Sequence, residues 1–534
     1  MSDETTPLNE TQPCLDHDRE AREDGNTGLS RNIDRGFLAI AFLGVYLGAA
    51  DDSFVLATHS EIASRFQQAA LGPWLISAYT LGYMTTLPLY GRLSYLYGAR
   101  CILLIAYLSF TIGCGMTGLA PSIWVAIVGR LVAGLGAAGI TDLVSIIVND
   151  WAPQKQAAVI RSYFGIFVPL GISTGAPFGG ILTDVVGWRL PFLIQVPLGL
   201  VCFFITYWRL PTPAELDIKQ KPGGSTDYTK PDVNAPGIIL LALVLGSLMV
   251  LCHSVGGNGQ AKDIRLIISI GCAILFGFVF WWHEKYLTKF PLMPMKAMLA
   301  NRIWVIYLAH LLVYFSLFGI ISNMSEYFTR TMNASNKSSG TFFVVLTIGS
   351  VLGSVVSGYS IRKTGKYKMM SLVGLLTMTI AVILFLVRWP QGPYPWEVCY
   401  LAIQGFGFMA FNAAFFVAIS VSVPRDSGAS AVTSYYLAQQ MGILVGVNST
   451  AAVTRSMFKN HLKRNLDLKP MANKIIQNVL RDNRFAFEYL SPNLQEIVAY
   501  TFMRASFVPP SMCLVSLLFA VPTICFLPRR TLDQ

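Results

Sequence analysis

Charge is what this sequence has least of. Only 13% of its residues are Asp, Glu, Lys or Arg, against 53% hydrophobic, whereas soluble domains carry about a quarter charged. A soluble fold of that composition would leave far too much apolar surface in water. Cysteine lacks pattern: the nine cysteines are scattered, mostly singly within apolar runs (Cys101, Cys114, Cys202, Cys252, Cys272, Cys513). That excludes a paired disulfide framework and any metal-ligand spacing. No nucleophile–base cluster or phosphate-binding glycine loop occurs, so no catalytic residue and no metal ligand is assigned, and an enzyme is not expected. There is no cleavable leader pattern either; residues 1–35 are polar and acid-rich and read as a disordered tail. The net charge of +11 does not point to nucleic acid, because the basic residues fall in short loops between apolar runs.

Those runs are what the sequence has instead. About fourteen stretches are long enough to cross about 30 Å of hydrocarbon. They begin near Gly36, Leu71, Ile102, Ser122, Ile160, Trp188, Ala235, Asp263, Trp304, Thr341, Lys368, Trp396, Gly428 and Val508. The fold class is therefore an all-α polytopic membrane protein. The pattern divides it into a tail (1–35), a first six-helix half (36–210), a Pro/Gly/Lys-rich linker (211–235) and an inserted span pair (236–284). Five further helices follow (285–454), then a polar amphipathic loop (455–506) and a last helix with the C-terminus (507–534). Lysine and arginine concentrate on one side, which places both termini and the linker in the cytosol. The sequons Asn333-Ala-Ser335 and Asn336-Lys-Ser338 then lie on the opposite side, where glycosylation is expected.

An internal echo supports two related halves. Gly91-Arg-Leu-Ser-Tyr-Leu-Tyr-Gly98 precedes Arg100, and Gly358-Tyr-Ser-Ile-Arg-Lys-Thr-Gly365 precedes Lys366 and Lys368. Both put two glycines seven apart in a short basic loop after an even-numbered span.

One residue breaks the apolar rule. Arg130 stands in an otherwise uncharged run, Ile123 to Thr141, and an intramembrane arginine normally faces a partner or a water-filled path. Near it, Gly134 and Gly136 allow close helix approach. At 1.5 Å per residue Asp51 lies about 22 Å along the first span, and Arg130 about 12 Å from the outer end of the fourth. The two depths agree, which pairs them. Either the pair is switchable, with proton uptake by Asp51 separating it, or it is a permanent ion pair that neutralises two charges. Asp52 competes for the proton role, turned by about 100° on the same helix.

These residues also carry a resemblance. Ala50-Asp51-Asp52-Ser53 in the first span, Arg130 with Gly134 and Gly136, Gly171-Ile-Ser-Thr-Gly175-Ala-Pro177-Phe-Gly179-Gly180 in the fifth span, and Gly187-Trp188-Arg189 resemble the major facilitator superfamily. Within it the chain looks like the fourteen-span drug:proton antiporter branch, and most like the fungal vacuolar basic amino acid transporters. The resemblance implies a major facilitator fold of two six-helix halves plus two inserted spans. It implies a proton-coupled antiporter in the bilayer whose partners are protons and a small molecule, driven by the proton gradient with no cofactor. It also implies a hinge at the fifth-span glycines and Pro177, where tight packing without motion is the alternative. Asp142, where relatives are usually neutral, would bind a cationic substrate or reach the cytosolic interface. Gln404, Asn412, Gln439 and Gln440 would face the cavity or bond between helices. His59, His253 and His310 are placed at or near span ends. The loop after the second span departs from the family, with Tyr95 in place of an aspartate and Ala99 in place of a basic residue.

Two membranes fit. Vacuolar uptake of basic amino acids suits the carboxylates Asp51, Asp52 and Asp142, and Glu4-Thr-Thr-Pro-Leu8 resembles part of an acidic dileucine sorting signal. Plasma-membrane efflux of drugs, toxins or fungal secondary metabolites suits the aromatic spans. A non-transporting sensor is the remote alternative, and no oligomeric state is assigned.

Overall fold

The computed structural model describes residues 35–151, 154–210, 234–255, 264–288, 303–391, 394–422, 428–466 and 472–525. The tail, its sorting-like motif and nearly all of the linker lie outside the described residues.

Helices are the expected answer to a bilayer, since only intrahelical bonding satisfies every backbone N–H and C=O of a lone apolar segment. The first six are α1 (Arg35–Arg65), α2 (Gly72–Tyr97), α3 (Ala99–Gly118), α4 (Ile123–Trp151), α5 (Gln154–Val186) and α6 (Arg189–Arg209). Then come α7 (Ala235–Val255) and α8 (Ile264–Trp282). The second set is α9 (Ile303–Met332), α10 (Asn336–Thr364), α11 (Tyr367–Arg388), α12 (Cys399–Ser422) and α13 (Gly428–Leu466). After it lie the short helices α14 (Ala472–Arg481), α15 (Phe485–Tyr489) and α16 (Pro492–Ala505), and finally α17 (Val508–Cys525). Eleven helical stretches are long and apolar enough to cross a membrane by length and composition. Helices α2, α5 and α13, diluted by Tyr, Gly, Thr and Ser, occupy the remaining expected positions.

Packing repeats between the halves. Helix α1 packs on α5, α2 on α4, and α3 on α4 and α6; in the same way α9 packs on α13, α10 on α12, and α11 on α12 and α17. Across the halves α5 meets α10 and α2 meets α13, the same relation exchanged. Helix α7 lies against α2 and α13, and α8 packs on α7, with Met84, Leu241, Leu245, Phe280 and Leu437 in one apolar cluster.

Some boundaries move. Helix α5 begins at Gln154, six residues ahead of Ile160, and α13 runs past residue 454 to Leu466. Its 39 residues make it about 58 Å long at 1.5 Å each, so it projects well beyond the bilayer. Helices α14 and α16 pack against this projection, α16 also against α9, and α15 packs on α14 and α16, forming what we call the capped end. His59, near the end of α1, and His310, near the start of α9, are enclosed by protein, 2% and 0% exposed. His253, in the last turn of α7, sits at a span end.

Candidate functional site

Helices α1 and α4 bring Asp51 and Arg130 together. The Arg130 Nη1 donates to Asp51 Oδ2, and its Nε donates to the Leu75 carbonyl at 3.4 Å. Gln195 of α6 donates to the other carboxylate oxygen at 3.3 Å. The guanidinium lies 4.4 Å from the Tyr79 ring centre and 5.9 Å from that of Phe192. Both charged residues are 0% exposed. A lone ion at that depth is prohibitively costly, and a hydrogen-bonded pair under aromatic rings offsets most of the penalty. One donor is left over: Arg130 Nη2 is buried and has no hydrogen-bond partner among the described residues.

Asp52 faces elsewhere. It lines a cavity of about 310 Å³ between the halves, together with Tyr79, Tyr83 and Thr141 from the first half and Tyr314, Asn412, Gln439 and Gln440 from the second. Adjacent residues on a helix diverge by about 100°, so one acid is locked inside the first half while its neighbour looks into the space between halves. Among the described residues, Asp52 is the only charged one in that lining. Opposite it, Asn412 donates to the Tyr314 hydroxyl at 3.2 Å and accepts from Tyr435 at 2.8 Å. The His310 ring stacks on Tyr435 with centres 3.7 Å apart.

Two expected residues are absent from the cavity wall. Asp142 is half-buried and its neighbour Thr141 lines the space instead. Gln404 is fully buried away from the lining, and neither its amide nitrogen nor its oxygen finds a partner among the described residues. Tyr314, Tyr435 and His310 were not anticipated here. The signal was present: His310 and Tyr314, like Tyr435 and Gln439, are four residues apart and so share a helix face.

The fifth-span glycines serve contact. A Cβ on Gly175 would overlap the Ala50 backbone, and Gly171 and Gly179 abut Ala49 and Phe54. Gly180 is buried too. On another side of α5, Ala176 and Pro177 meet Gly340 of α10. The acid-bearing stretch of α1 is thus pressed against a helix that also touches the other half.

The Major Facilitator Superfamily profile matches residues 38–447. The chain belongs to this superfamily. Among superfamily relatives, the vacuolar membrane amino acid uptake transporter fnx2 of Schizosaccharomyces pombe is 28% identical over 93% of this chain and 84% of its own length. The multidrug resistance protein fnx1 of the same yeast is 25% identical, covering 88% and 87%. The vacuolar basic amino acid transporter 2 of Saccharomyces cerevisiae is 26% identical, covering 74% and 84%. Among solved structures, a bacterial homolog to the human lysosomal transporter Spinster, in an inward-facing and unoccupied conformation, aligns with a TM-score of 0.59. It is 17% identical and covers 92% of this chain and 97% of its own, which bears on the fold alone.

In this superfamily member the halves are joined at the capped end. Ser325 of α9 donates to the Ala57 carbonyl at 2.8 Å and lies 3.1 Å from the Ser60 hydroxyl. These contacts sit one turn beyond Leu56 and Ile321, which line the cavity, and so close it on that side. The cap adds to the closure: the Asn483 backbone N–H donates to Ser64 at 3.0 Å, and Arg484 pairs with Glu61 at 3.2 Å. At the other end Gly98 and Gly365 have φ of +83° and +65°, positive values that glycine accommodates, and Gly91 and Gly358 lie within the helices before them. Arg100 donates to the Tyr207 carbonyl and stacks on its ring at 4.9 Å, which ties α3 to α6. The Tyr95 side chain lies outside the described residues. Asn333 is exposed at the capped end with φ +51°; Asn336 opens α10 and its side chain is outside the described residues.

Proposed function

We propose that the protein is a proton-coupled antiporter that moves small cationic solutes, foremost basic amino acids, out of the cytosol into the vacuole. The observation that carries this reading is the division of labour between adjacent acids. Asp51 is held by Arg130 and Gln195 inside the first half, and Asp52 is the charged group facing the cavity. A substrate ammonium group at Asp52 and a proton on either acid are alternative ways of neutralising the same cluster. Loading from one side and protonation from the other then become mutually exclusive, which is the minimum an exchanger requires. The spare Arg130 Nη2 donor can take up Asp52 when the substrate leaves. Helix α5, wedged between α1 and α10 through its glycines and Pro177, is where the rearrangement is relayed to the other half. With the termini in the cytosol, the capped end faces the vacuolar lumen and this is the cytosol-facing state. The names of the relatives support the substrate class, and the acid in the cavity supports a cation.

The test is uptake of radiolabelled lysine, arginine and histidine into proteoliposomes under an imposed proton gradient. Saturable uptake that collapses with an uncoupler is expected; a folded preparation that takes up none of the three would overturn the reading. The second reading, efflux of amphipathic compounds, is favoured by the aromatic share of the cavity wall: Tyr79, Tyr83, Tyr314, Phe318, Phe343 and Phe408. Aromatic faces attract flat organic cations, and gradient-driven transport of a cationic dye in place of amino acids would select it.

A further inference from the structure

A second polar cavity, of about 220 Å³, opens at the capped end and plays no part in the transport reading. Its volume is roughly that of seven waters at ~30 Å³ each. The first half contributes Trp74 from the start of α2, the inserted pair contributes His253 from the end of α7, and the second half contributes Glu326, Arg455 and Lys459. The Glu326 carboxylate is already matched, 2.8 Å from the buried Arg330. The other charged residues in the described lining, Arg455 and Lys459, are cationic. Arg455 donates one N–H to the Leu480 carbonyl at 2.6 Å, leaving the rest of its fork of donors. The Trp74 Nε1 is buried against the cavity with no hydrogen-bond partner among the described residues. Arg455, Lys459 and Lys463 follow at four-residue intervals along α13, a like-charge arrangement that destabilises a bare helix. Aromatic rings mark the depth. Trp74 packs edge-on against Trp124 at 5.8 Å and against His253 at 5.4 Å, and Trp124 is 52% exposed, as side chains at the headgroup level are.

We infer that this pocket binds a phosphate group, carried either by an anionic lipid headgroup or by a soluble phosphate. Arg455 and Lys459 supply charge, and the Trp74 indole and a ring N–H of His253 supply orienting donors. Because the walls come from both halves, an occupant ties them together at the end where the Ser60–Ser325 contact closes the central cavity. The inference does not depend on what the central cavity carries.

The test uses the full chain in a neutral detergent and follows its thermal unfolding midpoint. Phosphatidic acid, phosphatidylcholine and inorganic phosphate are titrated separately at matched ionic strength. The expected result is a saturable rise with phosphatidic acid or with inorganic phosphate, the arm that responds identifying the source, and none with phosphatidylcholine. In Lys459→Gln the apparent affinity falls about tenfold, the loss of one charge-assisted hydrogen bond, while Lys285→Gln at the opposite end of the bundle leaves it unchanged. Should Arg455→Gln fail to fold, because that residue also holds Leu480, Lys459→Gln and His253→Gln decide the matter alone. No rise with either phosphate, or an equal rise in wild type and both variants, overturns the site.

Discussion

The Arg130 guanidinium and the Asp51 carboxylate, 79 positions apart in the chain, close on one another inside the first half with neither exposed to solvent. The pair is asymmetric, because arginine keeps its proton while the carboxylate can gain one. Asp51→Asn should therefore retain the shape and a hydrogen bond to Arg130 yet abolish gradient-driven uptake. Asp51→Ala removes both and should destabilise the fold by about 3–5 kcal/mol, the cost of an uncompensated buried charge. Adding Arg130→Gln to Asp51→Ala should recover most of that loss in a denaturation assay. Full proton-driven transport by Asp51→Asn would reduce the pair to a structural ion bridge.

Asp52 makes a separate prediction, because it faces the cavity and Asp51 does not. Asp52→Asn should unfold at nearly the wild-type temperature, since no ion pair is lost. It should weaken cationic substrates by about tenfold or more, as expected for a lost charge-assisted contact, and spare neutral ones. The informative measurement is the ratio of lysine to glutamine binding in the same preparation. An unchanged ratio would show that the cavity acid does not read substrate charge.

Much of this site was legible beforehand, and the reason is physical. A charge in a span is so costly that its presence announces a partner, and helical rise alone gave Asp51 and Arg130 compatible depths. The two-half architecture was legible from repeated glycine spacings, and Gly98 and Gly365 both take a positive φ at the end of a helix. What was hidden involved neutral groups. Asparagine, tyrosine and glutamine cross the membrane cheaply enough to occur for packing reasons, so nothing in the chain separated Asn412, which faces the cavity, from Gln404, which does not. The burial of His59 and His310 was hidden as well, because apolar run length does not show which helices pack over a position.

Gln404 is itself a test of that distinction. Its amide is buried with both polar atoms lacking partners among the described residues. A buried amide in that condition costs about 1–3 kcal/mol. Gln404→Leu, close in volume, should therefore raise the thermal midpoint and leave transport intact. Loss of transport with unchanged stability would instead restore the residue to a substrate path.

Orientation can be read from Asn333, which is exposed at the capped end. Expressed in a eukaryotic membrane, the protein should carry a glycan there that endoglycosidase removes, and the double variant Asn333→Gln/Asn336→Gln should migrate at the deglycosylated position. A cysteine placed at the capped end that labels only from the cytosol would invert the topology.

The closure at that same end offers the most direct view of the transport cycle. The Ser60 and Ser325 hydroxyls lie 3.1 Å apart, both buried, on helices from different halves. If the halves must part there to release substrate, cysteines at these two positions would form a removable lock. Ser60→Cys/Ser325→Cys should transport under reducing conditions, stop when oxidised, and recover on adding a reductant, while each single variant stays insensitive to oxidant. Substrate binding measured from the opposite end should survive the lock, because the cavity lies one turn deeper at Leu56 and Ile321. Binding without turnover is the signature of a carrier held with one gate shut. A cross-linked protein that still turns over at the wild-type rate would mean that this contact never opens, and that substrate leaves by another route.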